Sequence, residues 1–117
     1  MEKVILHPGN GINIPVKGDY VKLNLKLTDA NGRTLFDSSQ SQKKYADVRY
    51  KTTEANMFDQ FEELIGEMSL FEKCSLEIDK SYLPNITSKQ IKMLLEQYQK
   101  IIFYVEIVDI SKTPHLN

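Results

Sequence analysis

The chain has 117 residues, of which 41% are hydrophobic and 26% charged, a balance that predicts one globular domain with a modest core. Its net charge of −1 gives no electrostatic reason to expect nucleic acid or a membrane surface as a partner. No apolar run approaches the roughly 20 residues of a membrane-spanning helix and no secretory signal is visible, so we expect a cytoplasmic protein.

The first half of the chain alternates between strand-like segments and turns. Residues 20–28 place apolar side chains at every second position, the pattern of a half-buried strand. The Asn31-Gly32 pair predicts a hairpin turn, because both residue types tolerate positive φ. Strands are predicted at residues 4–6, 20–28, 34–36 and 46–51.

Helical spacing first appears over residues 57–66, where Asn56 is expected to cap the helix and Gly66 to end it. The apolar face of this helix consists of Phe58, Phe61, Leu64 and Ile65. Further strands are predicted at residues 68–82 and 101–110. The lone cysteine, Cys74, falls in the first of these strands and is expected to be a small core residue.

A second helix is predicted over residues 87–98, with Thr87 or Ser88 as its cap and Gln90 completing a capping box with Thr87. Its apolar stripe is Ile91, Leu94, Leu95 and Tyr98. We expect this stripe to pack on the sheet, with a partner-binding face as the alternative. The whole pattern predicts an α+β fold, with about five antiparallel strands over a short helix and an extra helix before the last strand.

Two segments carry a resemblance to a known family: TLFDSS at residues 34–39 and FDQFEELIGEM at residues 58–68. Weaker matches lie in HPGNG at 7–11, PVKGD at 15–19 and FYVEI at 103–107. In this order the segments resemble FKBP-type peptidyl-prolyl cis–trans isomerases, the tacrolimus-binding family. The resemblance implies a twisted antiparallel sheet wrapped over a short helix, with an aromatic pocket between them.

The same resemblance implies a set of site residues, in which Phe61 forms the pocket floor where the family usually has tryptophan. The residues it assigns to catalysis are Phe36, Asp37, Phe61 and Phe103. Those it assigns to substrate binding are Leu25, Val48, Met57, Phe58 and Tyr82. No cofactor is implied, and no metal is expected because His7 and His115 lie near opposite termini without ligand-like spacing.

The chain departs from the family at the rim of this pocket. Leu25 stands where a pocket tyrosine is usual, and the predicted helix at 87–98 replaces a glycine-rich loop. By resemblance we expect a monomer with one domain over residues 1–111 and a tail at 112–117. It would isomerise X-Pro bonds in peptide and protein clients and bind a tacrolimus-like macrolide, with activity and affinity weakened by the rebuilt rim.

Prolyl isomerisation needs no nucleophile or metal, because its barrier of about 18–20 kcal/mol comes from lost amide resonance. A dry aromatic pocket would favour the twisted amide over the planar one. Asp37 either positions polar groups in such a pocket or only caps a turn. Two alternatives stay open: a non-catalytic FKBP-like interaction module, and a structural domain of an unrelated α+β fold.

Overall fold

Six antiparallel strands and two helices form the regular structure of the residues that the computed structural model describes, 3–52 and 58–115. The strands are β1 (Lys3–His7), β2 (Tyr20–Thr28), β3 (Thr34–Asp37), β4 (Ala46–Arg49), β5 (Lys73–Asp79) and β6 (Lys100–Ser111). The helices are α1 (Asp59–Glu67) and α2 (Lys89–Tyr98). The sheet runs in the order β1-β5-β6-β2-β3, and β4 also pairs with β2. The α+β prediction is confirmed, including the extra helix before the last strand.

The core lies on one face of the long central strands β2 and β6. Both strands alternate buried apolar side chains with more exposed ones, as a sheet with one covered face requires. In register, Leu25 faces Val105 and Leu27 faces Phe103. The two helices contribute to the same core cluster through Phe61, Leu64, Ile65, Ile91 and Leu95. The predicted packing of the α2 stripe on its own sheet is therefore confirmed for its buried members.

The strand predicted over residues 68–82 is wrong at both ends. Only β5 is extended, because residues 68–72 close α1 and then form a turn. After β5, the Asp79 carboxylate accepts a hydrogen bond from Ser81 N at 2.9 Å and begins a 3-10 turn over Lys80–Asn85. The alternation of Cys74, Leu76 and Ile78 covers only β5, and the charged residues Glu72 and Lys80 on either side of it mark where the strand pattern stops.

The strand predicted over residues 46–51 is also shorter than expected and ends at Arg49. Lys51 has φ of 52°, a left-handed value that an extended strand excludes. The buried Tyr50 side chain lies against α1 at Gly66, where an added Cβ would collide with the tyrosine ring. The glycine thus permits close packing of Tyr50 on the helix.

The predicted ends of the helices need two corrections. Gly66 does not end α1, which continues to Glu67 and closes with a hydrogen bond from Met68 N to Ile65 O at 3.2 Å. Because this backbone hydrogen bond closes the helix at Met68, the helix end does not need a glycine in the left-handed conformation. Asn56, the predicted cap of α1, lies outside the described residues.

At the start of α2 the cap is Ser88, whose hydroxyl oxygen accepts a hydrogen bond from Ile91 N at 3.4 Å. Ser88 is one of the two caps predicted for this helix, and Thr87, on which the predicted capping box depends, is not the N-cap. The cap lies one residue later than that box requires, and the side chain three residues after Ser88 is apolar.

The segment after β6 is held by a buried carboxylate. Asp19 is 3% exposed and accepts hydrogen bonds from Lys112 Nζ at 2.6 Å and from Val16 N at 2.9 Å. Burial alone would raise the pKa of Asp19, but the bonds from Lys112 and Val16 outweigh it and lower the pKa below its usual value. The division of the chain into a domain and a tail at residue 111 stays a prediction.

Replacing Lys112 with methionine is expected to lower the free energy of unfolding at neutral pH by about 1 kcal/mol, because a buried carboxylate loses a charged donor that is itself mostly exposed. The lowered pKa of Asp19 means that its contribution is fully present above about pH 4 and is lost as the pH falls through the folded-state pKa. Urea unfolding at pH 7 and pH 3 should therefore show a smaller acid-induced loss in the variant. Lys80→Met, on the exposed 3-10 turn, is the control, and equal pH dependence of K112M and the unsubstituted protein would contradict this assignment.

Candidate functional site

Three phenylalanine rings form a cluster between α1 and β6. The ring centroids of Phe58 and Phe103 lie 5.2 Å apart in an edge-to-face arrangement, those of Phe58 and Phe61 lie 5.7 Å apart, and those of Phe61 and Phe103 lie 6.1 Å apart. These separations are the favourable ones for aromatic pairs. Phe61 and Phe103 are 0% exposed and Phe58 is 1% exposed. The predicted pocket floor is thus enclosed within the core.

The segment leading into α2 encloses this cluster. A single antiparallel β-bridge joins Phe58, at the start of α1, to Ile86, just before α2. Ile86 is buried, as are Ile91 and Leu95 on α2, and all belong to the core cluster that contains the phenylalanines. Helix α2 is therefore packed into the core.

An open groove of about 580 Å³ lies beside this cluster, between the strands β2 and β3 on one side and α2 on the other. Leu25 and Leu27 come from β2, Leu35 and Phe36 come from β3, and the other wall comes from α2 and its cap. Among the described residues that line it, none is charged. Its volume and apolar character are typical of sites for small ligands or short peptide segments.

Phe36 is the aromatic residue that this groove presents to solvent. It is 42% exposed, although it stands one strand away from a fully buried core position. Leu27 pairs with Phe36 on one side and with Phe103 on the other, so the three side chains share one face of the sheet. Phe36 and Phe103 therefore lie about 10 Å apart across three strands, with Leu27 between them.

The structure places Asp37 at a turn and outside the groove. Its carboxylate accepts hydrogen bonds from Ser39 N at 2.9 Å and Ser39 Oγ at 2.7 Å, and so caps the 3-10 turn Ser38–Gln40. The bonds from Ser39 and the nearby charge of Lys26 hold the pKa of Asp37 below its usual value. The carboxylate lines a separate, polar depression of about 480 Å³ that also contains Lys26 and Lys73.

That polar depression is a poorer candidate for binding an X-Pro segment, because charged side chains line it and keep it hydrated. The turn capped by Asp37 nonetheless supports the apolar groove. Ser38, the next residue, is buried, and its hydroxyl oxygen accepts a hydrogen bond from Leu25 N at 3.0 Å. Asp37 thereby helps to fix the backbone between Phe36 and the groove wall at Leu25.

The remaining predicted binding residues lie elsewhere or outside the described part. Val48 is buried in the core on β4, opposite Val21, and does not line the groove. Tyr82 is half-buried on the 3-10 turn after β5 and lines a depression that also contains Val4 and Ser75. Met57 lies outside the described residues. Of the predicted site, the groove brings together Phe36 and Leu25.

Sequence reasoning missed the groove residues on α2. Gln90, Met93, Leu94 and Gln97 recur at intervals of three and four residues, so they share one face of the helix, beside the stripe that enters the core. The spacing of three and four residues is visible in the sequence. Because Gln90 and Gln97, at the two ends of this face, are polar, the face was not recognised as part of a groove. Of the α2 residues that line the groove, Ile91 and Leu94 were part of the predicted stripe.

The thiol of the chain's one cysteine is buried and unreactive. Burial and the neighbouring Glu72 carboxylate raise the pKa of the Cys74 thiol to about 12, so it stays protonated and inert. Cys74 is fully buried, as predicted. Within residues 3–52 and 58–115, no three histidine, cysteine or acidic side chains lie close enough together to hold a metal ion. Neither helix of the described part is long and apolar enough to cross a membrane.

Comparison with known proteins adds to this geometry. The chain is 29% identical over 111 residues to FK506-binding protein 1A of Aspergillus fumigatus, a match that covers 93% of each protein. Its structure is similar to the crystal structure of FkpA from Escherichia coli, with a TM-score of 0.64 and 19% identity. That similarity covers 96% of this chain but 48% of FkpA, so the chain spans about half of FkpA's length. No protein-family model matches the chain.

Proposed function

We propose that this chain, a divergent FKBP-type domain, catalyses cis–trans isomerisation of X-Pro bonds in peptides and proteins, and that it does so in the groove between β2, β3 and α2. The observation that carries the proposal is the exposed ring of Phe36 in an apolar, uncharged groove. The resemblance of this segment to the family points to the same site, and the relative whose name describes FK506 binding supports the proposed activity.

The chemistry requires only a preference for the twisted amide. A planar X-Pro amide is stabilised by charge separation, and the barrier of about 18–20 kcal/mol is the loss of that resonance. A groove without charged groups solvates the planar form poorly, so the less polar twisted form becomes relatively more favourable. Each 1.4 kcal/mol of this preference gives about a tenfold acceleration.

The residues of the chain divide this task. Phe36 and Leu25 would contact the proline ring directly, since both line the groove. Phe61 and Phe103 would not contact the substrate. They would form the rigid core that supports Leu27 and the sheet under the groove. Asp37 would act as a positioning residue, through the turn that fixes Ser38 against Leu25.

Replacing Phe36 with alanine is expected to lower kcat/KM for a short X-Pro peptide about tenfold or more, because the proline ring loses an apolar contact worth roughly 1.5–3 kcal/mol. The measurement is a proline-limited isomerisation assay across several residues before proline. Phe71→Ala is the matched control, since Phe71 is another exposed phenylalanine, at 54%, and does not line the groove. Equal activity of F36A and the unsubstituted protein would place the site elsewhere.

A second candidate function is peptide or protein binding without catalysis, with the groove as the binding site. The full burial of Phe61 favours it, because a substrate in the groove would not touch the aromatic floor. The same assay separates the two functions. Peptide-induced NMR shifts at Leu25 and along α2 without any acceleration would establish the binding module. A tacrolimus-like macrolide should compete for the same groove, with weak affinity because α2 rebuilds the rim.

A further inference from the structure

Helix α2 presents two faces with different roles. Ile91 and Leu95 are buried in the core and fix the helix in place. The adjoining face lines the groove and reads glutamine, methionine, leucine, glutamine at Gln90, Met93, Leu94 and Gln97. A groove wall anchored in this way holds its outward side chains at defined positions.

The polar groups of the groove differ in their availability. The hydroxyl of Ser88 donates to Gln90 Oε1 at 3.2 Å and accepts from Ile91 N, so the polar end of the groove near the helix cap is internally paired. Gln97 lies at the opposite end of the same face, is exposed, and has no hydrogen-bond partner at its amide oxygen or nitrogen among the described residues. Among these residues the amide nitrogen of Gln90 is also unpaired, but its oxygen accepts from Ser88. Gln97 is therefore the groove amide whose donor and acceptor are both free to pair with a ligand.

A bound peptide would need such a group. When its backbone enters an apolar groove, each peptide N–H and C=O loses water, and an unpaired group costs about 1–3 kcal/mol. A glutamine amide carries both donors and an acceptor, so it can pair with either kind of backbone group. Gln90 and Gln97 are seven helical steps apart, about 10.5 Å along the helix, the length of about three extended peptide residues.

We propose that Gln97 is a substrate-binding residue, whose side-chain amide hydrogen-bonds the backbone of a short extended peptide segment beside its X-Pro bond. The inference rests on the proposed use of the groove but is independent of whether binding leads to catalysis. In this arrangement α2 binds the substrate backbone, and Phe36 and Leu25 contact the proline ring.

The test replaces Gln97 with methionine, which preserves length and helix propensity but removes the hydrogen bond. For a short peptide with leucine before proline, KM and the dissociation constant from NMR titration should rise about fivefold to tenfold, while kcat stays within about twofold. Lys92→Met, on the same helix but outside the groove lining, should leave both constants unchanged. Thermal unfolding of the two variants should match.

The outcomes separate the two proposals. Unchanged KM and peptide affinity in Q97M, with an active unsubstituted protein, would overturn the role of Gln97 and leave the isomerase proposal standing. Weakened peptide binding in Q97M without any isomerase activity would support Gln97 and overturn the isomerase. An equal loss in Q97M and K92M would mean damage to the helix, and an unsubstituted protein that binds no peptide would overturn both proposals.

Discussion

Replacing Phe61 with alanine is expected to lower the free energy of unfolding by about 3–5 kcal/mol, the usual cost of removing a fully buried phenylalanine. Phe61 is 0% exposed and contacts two other rings, so its loss leaves a cavity that the anchored neighbours cannot fill. Such a loss is a large share of the 5–15 kcal/mol that typically stabilises a domain. Chemical unfolding at 25 °C measures it directly.

Phe71→Ala provides the matched control, because it removes the same side chain from an exposed position and should cost less than about 1 kcal/mol. The comparison also bears on function. If Phe61 were an open pocket floor, F61A would impair catalysis with little loss of stability. A variant that unfolds at the same denaturant concentration as the unsubstituted protein would show that the aromatic cluster is accessible in solution.

Replacing Gly9 with alanine is expected to lower the free energy of unfolding by about 2–3 kcal/mol, the cost of overpacking against atoms that cannot yield. An added Cβ would lie 2.6 Å from Leu70 O and 2.8 Å from Glu72 N, both backbone atoms, and would also collide with the Ser69 hydroxyl. Asn10 N donates to Leu70 O at 2.8 Å at the same place, so the turn after β1 cannot move away without breaking that bond. Thermal or urea unfolding would measure the loss.

Gly11→Ala is the control for Gly9, since Gly11 belongs to the same turn but has open space around its Cα. Its φ of +68° makes alanine there strained by about 1–2 kcal/mol, so the two variants separate collision from backbone strain. A loss in G9A no greater than in G11A would mean that the turn and the segment at residues 69–72 move apart readily. The close approach would then contribute little to stability.

The sequence by itself predicted which segments form strands and helices and, for β2 and the two helices, which face is buried. Alternation along β2 marks one face for burial, and spacing of three and four residues marks the faces of α1 and α2 that enter the core. β6 is apolar at consecutive positions, so its sequence predicted a strand without marking the buried face. These patterns are local consequences of strand and helix geometry, so they can be read without knowing the neighbours. The assignment of Phe36 and Leu25 to one site is of a different kind, because it was implied by the resemblance to the FKBP family and not by a local pattern; both residues line the groove.

The ends of β5 and α1 were predicted wrongly, for different reasons. β5 ends where the Asp79 carboxylate accepts a hydrogen bond from Ser81 N and begins the next turn. Helix α1 continues through Gly66, where the absence of a side chain lets Tyr50 pack against the helix. Lys80 already breaks the alternation of β5, and the Asp79–Ser81 spacing is a local turn signal that the strand prediction over residues 68–82 did not use. Glycine is a reasonable helix end at Gly66, but the contact that decides there is with Tyr50, which the helical pattern does not contain.

Only the tertiary structure decided which aromatic residues face solvent. Phe36, Phe61 and Phe103 carry the same side chain, and nothing in their sequence surroundings separates an exposed ring from an enclosed one. The bridge between Phe58 and Ile86 and the burial of α2 enclose two of the rings, while the position of β3 at the sheet edge leaves Phe36 open. Burial depends on what the rest of the chain covers, and the path of the segment before α2 determines that cover.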